Sequence, residues 1–416
     1  MRYEDYIDLS YKPKADELVC HFYVEAKRGK ELRRAIGAVA AESSIGTWTE
    51  VTTEKSYMAR LAAKVFEIKK VSKNSANVKI AYPPELFEPS NLPNIMSSIA
   101  GNIFGMRDVE WLRLNDIIFP KHIAKSFKGP KYGIQGIRKI TKVKDRPLIG
   151  TIIKPKIGLN AIDHAKIAYE AWLGGCDIVK DDENLANQAF NKFEDRLRET
   201  LAMKEKVENE IGEKKIYMIN ITAETNQMLR RARLVEDYGN EYAMVDIITV
   251  GWAALQTLRD ADFNLVLHGH RAGHAAIDKY RKHGIRMKVI ARLARLIGLD
   301  QLHIGTGIGK MFETTEEVLE NRKALVDEFY GLKPVMPVAS GGLHPLIIPK
   351  LYAIFGKDVV LQFGGGIHGH PQGTLAGARA VRQALNAVLQ GIALEEYAIV
   401  HKELRAAFDK WKYGKA

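Results

Sequence analysis

Apolar and polar positions follow two different rhythms along the chain. Over the first ~130 residues the runs are short and of mixed period, as in a small α/β unit. Leu18–Ala26 alternates like a strand, and Glu31–Ala41 has helical spacing. Ala63–Lys69 and Asn77–Tyr82 are β-rich runs around a polar turn at Lys73-Asn74-Ser75. Leu92–Phe104 predicts a second helix and Val109–Ile118 a last strand, so a sheet covered by helices on one side is expected. Pro120–Gly136, rich in Pro, Gly and Lys, reads as a boundary. Beyond it, apolar runs alternate with longer charged amphipathic stretches. Eight strands are predicted: Leu148–Pro155, Asp177–Asp182, Tyr217–Thr222, Met244–Thr249, Asn264–Arg271, Gln301–Thr306, Pro334–Ser340 and Val359–Gly364. Helix-like stretches such as Ala161–Leu173, Phe193–Ile211, Gln227–Asp237 and Gly284–Ile297 lie between them. The expected fold is α/β: residues 1–130 form a small α+β, ferredoxin-like domain, and residues 131–416 a (β/α)8 barrel.

Composition agrees. The 416 residues suit one small domain plus a barrel of ~250, and 46% hydrophobic residues can fill both cores. Only Cys20 and Cys176 occur, which fits a reducing compartment. The N-terminal residues lack a signal-peptide core and no apolar run approaches ~20 residues, so a soluble, cytoplasmic protein without membrane association is expected. A net charge of +12 raises the question of nucleic acid, but the basic residues are scattered among acids rather than gathered in a stripe. Steering of an anionic substrate is the other use of such charge.

Barrel enzymes work at the C-terminal ends of their strands, and here the polar residues crowd that rim. The first predicted strand ends in Lys154-Pro155-Lys156, the second in Lys180-Asp181-Asp182-Glu183-Asn184, and the fifth in His268-Gly269-His270-Arg271. His303 precedes the glycine-rich run Gly305–Lys310, while Ser340-Gly341-Gly342 and Gly364-Gly365-Gly366 end the last two strands. Strand side chains alternate, so Lys180 and Asp182 share a side and Asp181 points away. Lys180 beside two carboxylates reads either as a buried ion pair or as a metal site. In the latter, CO2 captured by the neutral amine gives a carbamate that holds Mg2+ with Asp182 and Glu183. The glycine pairs after adjacent strands suit phosphate, and Arg271 with His303 offers a second anionic pocket, so a bisphosphate is indicated. Lys310, after a flexible glycine run, reads as a cation on a mobile lid. His268-Gly269-His270 also admits a zinc hydrolase of the amidohydrolase type, although there the H-x-H strand precedes the lysine and here it follows. The adjacent carboxylates favour an oxygen-only magnesium site.

Taken together the motifs resemble ribulose-1,5-bisphosphate carboxylase/oxygenase (Rubisco) over nearly the whole chain. Glu42–Trp48 and Gly101–Gly105 resemble the family's two N-terminal active-site segments. Lys154-Pro155-Lys156, Lys180–Asn184, His270-Arg271-Ala272 with His274, Gly309-Lys310, Ser340-Gly341-Gly342 and Gln362–Gly366 follow in the family's order. The resemblance implies that Lys180 carries the activating carbamate and holds Mg2+ with Asp182 and Glu183. It implies that Lys154, Lys180, His270 and Lys310 are catalytic. Thr47, Trp48, Gly342, Gly364 and Gly365 would take one phosphate, with Arg271 and His303 at the other, and Gly341 would also bind substrate. Ser340 would hold a substrate hydroxyl, and Glu42, Asn102 and Lys156 would complete the substrate site.

In this family Glu42, Thr47, Trp48 and Asn102 come from the neighbouring subunit, so the resemblance implies a homodimer or a ring of dimers. The reactants implied are ribulose 1,5-bisphosphate, CO2 and O2. The compact termini and the Ile152 region are closest to the archaeal form III group, for which no small subunit is expected. Three departures stand out: Ile152 where plant-type members have threonine, Gly273 in place of a bulkier residue, and Met311-Phe312-Glu313 in place of Leu-Glu-Gly. The rival within the same fold is a Rubisco-like enolase or isomerase of another sugar phosphate.

Overall fold

The computed structural model describes residues 2–309 and 311–412. It forms two compact units: Met1–Lys128 with Gly273–Leu296 and Glu328–Leu332, and Gly129–Ala272 with Ile297–Asp327 and Lys333–Ala416.

In the first unit the strands β1 (Leu18–Ala26), β2 (Lys64–Lys70), β3 (Ser75–Tyr82) and β4 (Val109–Ile118) pair antiparallel in the order β4-β1-β3-β2. With helices Leu32–Glu42 and Leu92–Ile99 this is the split β-α-β arrangement expected of a ferredoxin-like domain. Alternation along β1 buries Phe22 and Val24 while His21 and Tyr23 are half-buried, and Ile36 and Val39 of the first helix complete the core. The second helix is shorter than its sequence pattern: it starts at the Asn91 cap, whose side chain accepts from the Asn94 amide, and stops at Ile99. A short 3-10 turn, Asn102–Gly105, follows. The strand Gly284–Ile285 adds to β4 in parallel, and Arg113 of β4 binds Asp278 as a buried pair in the same unit.

The second unit is a closed parallel barrel of β5 (Leu148–Ile152), β6 (Ile178–Lys180), β7 (Ile216–Asn220), β8 (Tyr242–Asp246), β9 (Val266–His270), β10 (Gln301–His303), β11 (Met336–Ser340) and β12 (Val360–Phe363). These strands are buried on both faces, and so they read as apolar runs rather than alternating ones. All eight expected staves are present, but the first, fourth and sixth each stop three residues short of their predicted ends, and the fourth runs directly into helix. Ile247-Ile248-Thr249 looks like strand, yet Asp246 is the last paired residue and helix begins at Ile247. The Asp246 carboxylate accepts from Thr249 Oγ1 at 2.9 Å and from the Ala272 amide at 2.8 Å, which turns the chain off the sheet and overrides β propensity.

The segment read as a boundary does more than connect. Helix Gly133–Thr141 places Ile134 and Ile137 against Leu148, Ile178, Ile216, Tyr242, Val266 and Val360 at the strands' N-terminal ends, plugging that mouth. It is held by the Tyr132 and Gly133 amides, which donate to Asp300 Oδ1 at 2.6 and 2.9 Å. At the same end Asp177 accepts from Arg146 at 2.7 and 2.8 Å, from Arg382 at 3.0 Å and from the Ile149 amide at 2.8 Å. Burial opposes its ionisation, but the two guanidinium groups overcome this and lower its pKa to about 2. An unfolded Asp titrates near ~3.9, so this stabilisation, of order 2 kcal/mol, should be complete above pH ~4 and lost as pH falls towards ~2. Urea unfolding between pH 5 and 2 is expected to show a steeper loss of stability for the wild type than for Asp177→Asn; equal slopes would remove Asp177 from the account. Among the described residues no helix is long and apolar enough to cross a membrane, and Cys20 and Cys176 are free, buried thiols.

Candidate active site

The polar rim of the barrel is built around β6. Lys180, its last residue, is fully buried; its Nζ donates to the Asp181 carbonyl at 2.7 Å, lies 2.9 Å from Met244 Sδ and is 3.8 Å from Glu183 Oε2. Burial lowers the Lys180 pKa, and the nearby carboxylates of Glu183, Asp182 and Asp181 only partly restore it. Asp182 Oδ2 accepts from Lys154 Nζ at 2.6 Å, and Asn184 donates to its other oxygen. Burial works against an ionised Glu183, but Lys180 and His270 prevail and hold its pKa below the ordinary value.

Asp181 points the other way, as strand alternation requires. Its carboxylate accepts from Arg196 Nε at 3.0 Å, Tyr217 OH at 2.8 Å and the Asn220 amide at 3.0 Å, with His164 Nε2 at 3.2 Å. Burial again opposes ionisation, and Arg196 with His164 holds this carboxyl far below the usual range. The side chains lining the pocket and those anchoring its floor thus come from successive residues of one strand end.

The histidines occupy two separate networks. His270 Nδ1 meets Asp246 Oδ1 at 3.2 Å, and its Nε2 lies 3.5 Å from Glu183 Oε2. His268 Nδ1 faces Gln301 Oε1 at 2.9 Å, His268 Nε2 faces His303 Nε2 at 2.9 Å, and His303 Nδ1 faces Ser340 Oγ at 2.7 Å. Burial drives the His268 pKa down to about 3 and that of His303 well below its usual value, so both rings are neutral. With Gln301 Oε1 as acceptor, His268 Nδ1 donates to it, His303 Nε2 donates to His268, and Ser340 donates to His303. Both nitrogens of His268 are therefore engaged, and the H-x-H pair does not converge on a shared point as a dinuclear-type zinc site would need.

These groups open onto a cavity of about 590 Å³ lined by Lys154, Lys180, Glu183, His270, His303 and Ser340 together with Gly341, Gly342, Gly364, Gly365 and Gly366. Gly341 and Gly342 have φ of +110° and +75°, a conformation that favours glycine, and a Cβ on Gly365 would meet nothing within 4 Å. Gln362 is fully buried, also lines the cavity, and neither amide atom has a partner. Gly150 on β5 makes room for it: a Cβ there would sit 1.9 Å from Gln362 Oε1. The motif contained Gln362, but its orientation is a tertiary fact. His344 and Trp411 line the same cavity with rings stacked 5.7 Å apart, and nothing local in the sequence marks them.

Other expected site residues lie elsewhere. Lys156 is exposed in the loop after β5. Arg271 is buried but does not line the cavity; its Nη2 pairs with Glu313 Oε1 at 2.6 Å. Glu42, Thr47, Trp48 and Asn102 belong to the first unit, where Glu42 accepts from Tyr3 OH at 2.6 Å, Asn102 is exposed and Trp48 is 78% exposed. Lys310 lies outside the described residues.

Models of the ribulose bisphosphate carboxylase large chain match nearly the whole sequence, the N-terminal domain at residues 5–123 and the catalytic domain at residues 133–411. The chain belongs to the Rubisco large-chain family. It is 51% identical to a ribulose bisphosphate carboxylase of Methanosarcina barkeri, over 98% of this chain and 99% of that one. The octameric Rubisco of Pyrococcus horikoshii, solved as a complex with sulfate, superposes with a TM-score of 0.96 at 45% identity, covering 100% of this chain and 98% of the other. A dimeric archaeal Rubisco from Hyperthermus butylicus gives a TM-score of 0.92 at 44% identity, covering 99% of each chain. The Rubisco fold thus accounts for the two units and for the rim at the C-terminal ends of the barrel strands.

Whether the rim suits the family's metal can be judged from its donors. Among the described residues no group of three or more His, Cys, Asp and Glu side chains could hold a metal ion. Asp182 and Glu183 supply two carboxylates beside a buried amine whose burial favours the neutral form. A carbamate on that amine would supply the missing anionic oxygen, and an all-oxygen set fits a hard cation such as Mg2+.

Proposed function

We propose that this chain is a ribulose-1,5-bisphosphate carboxylase, adding CO2 and water to its substrate and cleaving the C2–C3 bond to give two molecules of 3-phosphoglycerate. The observation that carries the reading is Lys180, fully buried yet within 3.8 Å of Glu183, with Asp182 held beside it by Lys154. A lysine in this setting reacts as the neutral amine, taking up CO2 and releasing a proton. The carbamate, Asp182 and Glu183 would then hold one Mg2+, which when bound polarises substrate oxygens and stabilises negative charge on them.

Within this reading the carbamate on Lys180 takes the C3 proton of the substrate. Lys154, 2.6 Å from Asp182, serves proton transfers, and His270, oriented by Asp246, assists hydration and cleavage. Lys310 would neutralise the new carboxylate. Gly342, Gly364 and Gly365 take one phosphate, joined by Thr47 and Trp48, and Arg271 with His303 takes the other. His303 would exchange one of its present bonds to do so, because both ring nitrogens are engaged. Ser340 donates to His303 and is left to accept from a substrate hydroxyl. Glu42, Asn102, Lys156 and Gly341 complete the substrate site.

A homodimer in which each subunit lends Glu42, Thr47, Trp48 and Asn102 to the other is the smallest assembly proposed, and Trp48 at 78% exposure is an apolar surface awaiting such cover. A boundary near residue 130 between an N-terminal and a barrel domain, an oxygenase side reaction and a cytoplasmic setting belong to the same proposal. The test is incorporation of labelled CO2 into 3-phosphoglycerate from ribulose 1,5-bisphosphate after preincubation with bicarbonate and Mg2+. Product that depends on both additions is expected. Its absence from folded protein prepared without oxygen, across a range of temperatures, would redirect the assignment to enolisation of other sugar phosphates.

A further inference from the structure

Arg271 already holds an anion of the protein's own. Its Nη2 lies 2.6 Å from Glu313 Oε1, and the side chains of the two are only 6% and 2% exposed. Gly305 is shaped around this pair: with φ of +93°, a Cβ there would lie 3.2 Å from Arg271 Nη2 and 3.3 Å from Glu313 Cδ. Glu313 immediately precedes Thr314, the cap of helix Thr315–Val326, where Thr314 Oγ1 accepts from the Glu317 amide at 3.3 Å and the Thr314 amide donates to Glu317 Oε2 at 2.9 Å. The carboxylate is therefore carried on a well-anchored helix start and presented to Arg271 from across the sixth strand-to-helix connection. Glu313 also falls in the run Met311-Phe312-Glu313 that departs from the Leu-Glu-Gly pattern.

We infer that Glu313 is a specificity-determining residue, an internal carboxylate that occupies Arg271 in the free protein and competes with the substrate's phosphate for it. The inference rests on the reading of Arg271 as a phosphate ligand. A phosphate arriving at this guanidinium meets a buried carboxylate already bonded to it, and two anions cannot share one buried cation without mutual repulsion. Binding therefore requires Glu313 to yield Arg271, and the free energy of that exchange is subtracted from substrate affinity. The pair sets a threshold: a strongly charged phosphate displaces the carboxylate, whereas a singly charged or neutral end of a ligand does not. An ion pair with no part in binding would affect only stability.

Glu313→Gln keeps the shape and removes the charge. If the binding-competent, open form of the pair is about one-tenth populated, the variant should lower the KM for ribulose 1,5-bisphosphate and the inhibition constant of inorganic phosphate by about tenfold each. Glu313→Asp, which keeps the charge but shortens its reach, should shift both constants in the same direction by a smaller factor, and it serves if the glutamine variant does not fold. An unchanged or raised KM in whichever variant folds, with only a lowered melting temperature, would overturn the inference and leave a structural pair. Arg271→Met separates this failure from that of the underlying reading. A raised KM in Arg271→Met with no gain in the Glu313 variants refutes Glu313 alone, whereas an unchanged KM in Arg271→Met refutes Arg271 as a phosphate ligand and the inference with it.

Discussion

Lys180→Ala is expected to lower carboxylation by about 10⁴-fold or more while leaving the protein folded. Two separate contributions vanish with the amine: the carbamate that would take the substrate proton, a factor of about 10²–10⁴, and the third ligand of the cation, worth several kcal/mol of charge stabilisation. The fold should tolerate the change because Lys180 is a burden on it; burial lowers its pKa despite three carboxylates nearby, the mark of a cation whose lost hydration is not fully repaid. The cavity beside it can also admit water to the vacated space. Product formation from labelled CO2, together with circular dichroism of both proteins, checks the prediction. A folded alanine variant with wild-type turnover would refute the role of Lys180. Bicarbonate preincubation should activate the wild type and have no effect on the variant.

Asp181→Ala is expected to act in the opposite sense, on stability first. The side chain is fully buried and serves Arg196, Tyr217, His164 and the Asn220 amide together. Removing it leaves the Arg196 guanidinium, itself fully buried, without its carboxylate, and breaking one side of such a pair costs about 3–5 kcal/mol. That is a large share of the ~5–15 kcal/mol that holds an ordinary domain together. Chemical unfolding should show the loss as a lower midpoint with little change in slope. Asp181→Asn should cost less because the amide oxygen still accepts from the ring of donors. A midpoint for Asp181→Ala within error of the wild type would mean that the buried network is not an anchor of β6.

The two substitutions concern adjacent residues of one strand end, and the sequence alone distinguishes them. Strand alternation places Lys180 and Asp182 on one side and Asp181 on the other, and the observed partners agree. The barrel was legible for a similar reason. Each stave is buried on both faces, so its apolar run is visible without knowledge of its neighbours, and each ends where polar residues can reach the rim. Helices Ala161–Leu173 and Phe193–Ile211 have the boundaries their amphipathic patterns predict. The end of β8 was not legible, because Ile247-Ile248-Thr249 has strand propensity and only the bonds of Asp246 to Thr249 and Ala272 turn it into helix.

By itself, then, the sequence determined the barrel, the small domain before it, the family, and the crowding of Lys154, Lys180, Asp182, Glu183, His270, Ser340 and the glycine pairs at one rim. These follow from short-range periodicity and from motifs a few residues long. Only the tertiary structure decided which partners those residues keep. Glu313 lies on Arg271, His268 and Gln301 stand behind His303, Gly150 yields space to Gln362, Trp411 reaches the cavity, and Gly133–Thr141 closes the barrel's other mouth. Each of these joins residues far apart in the chain, through hydrogen bonds and packing whose geometry exists only once the strands have closed around a common core.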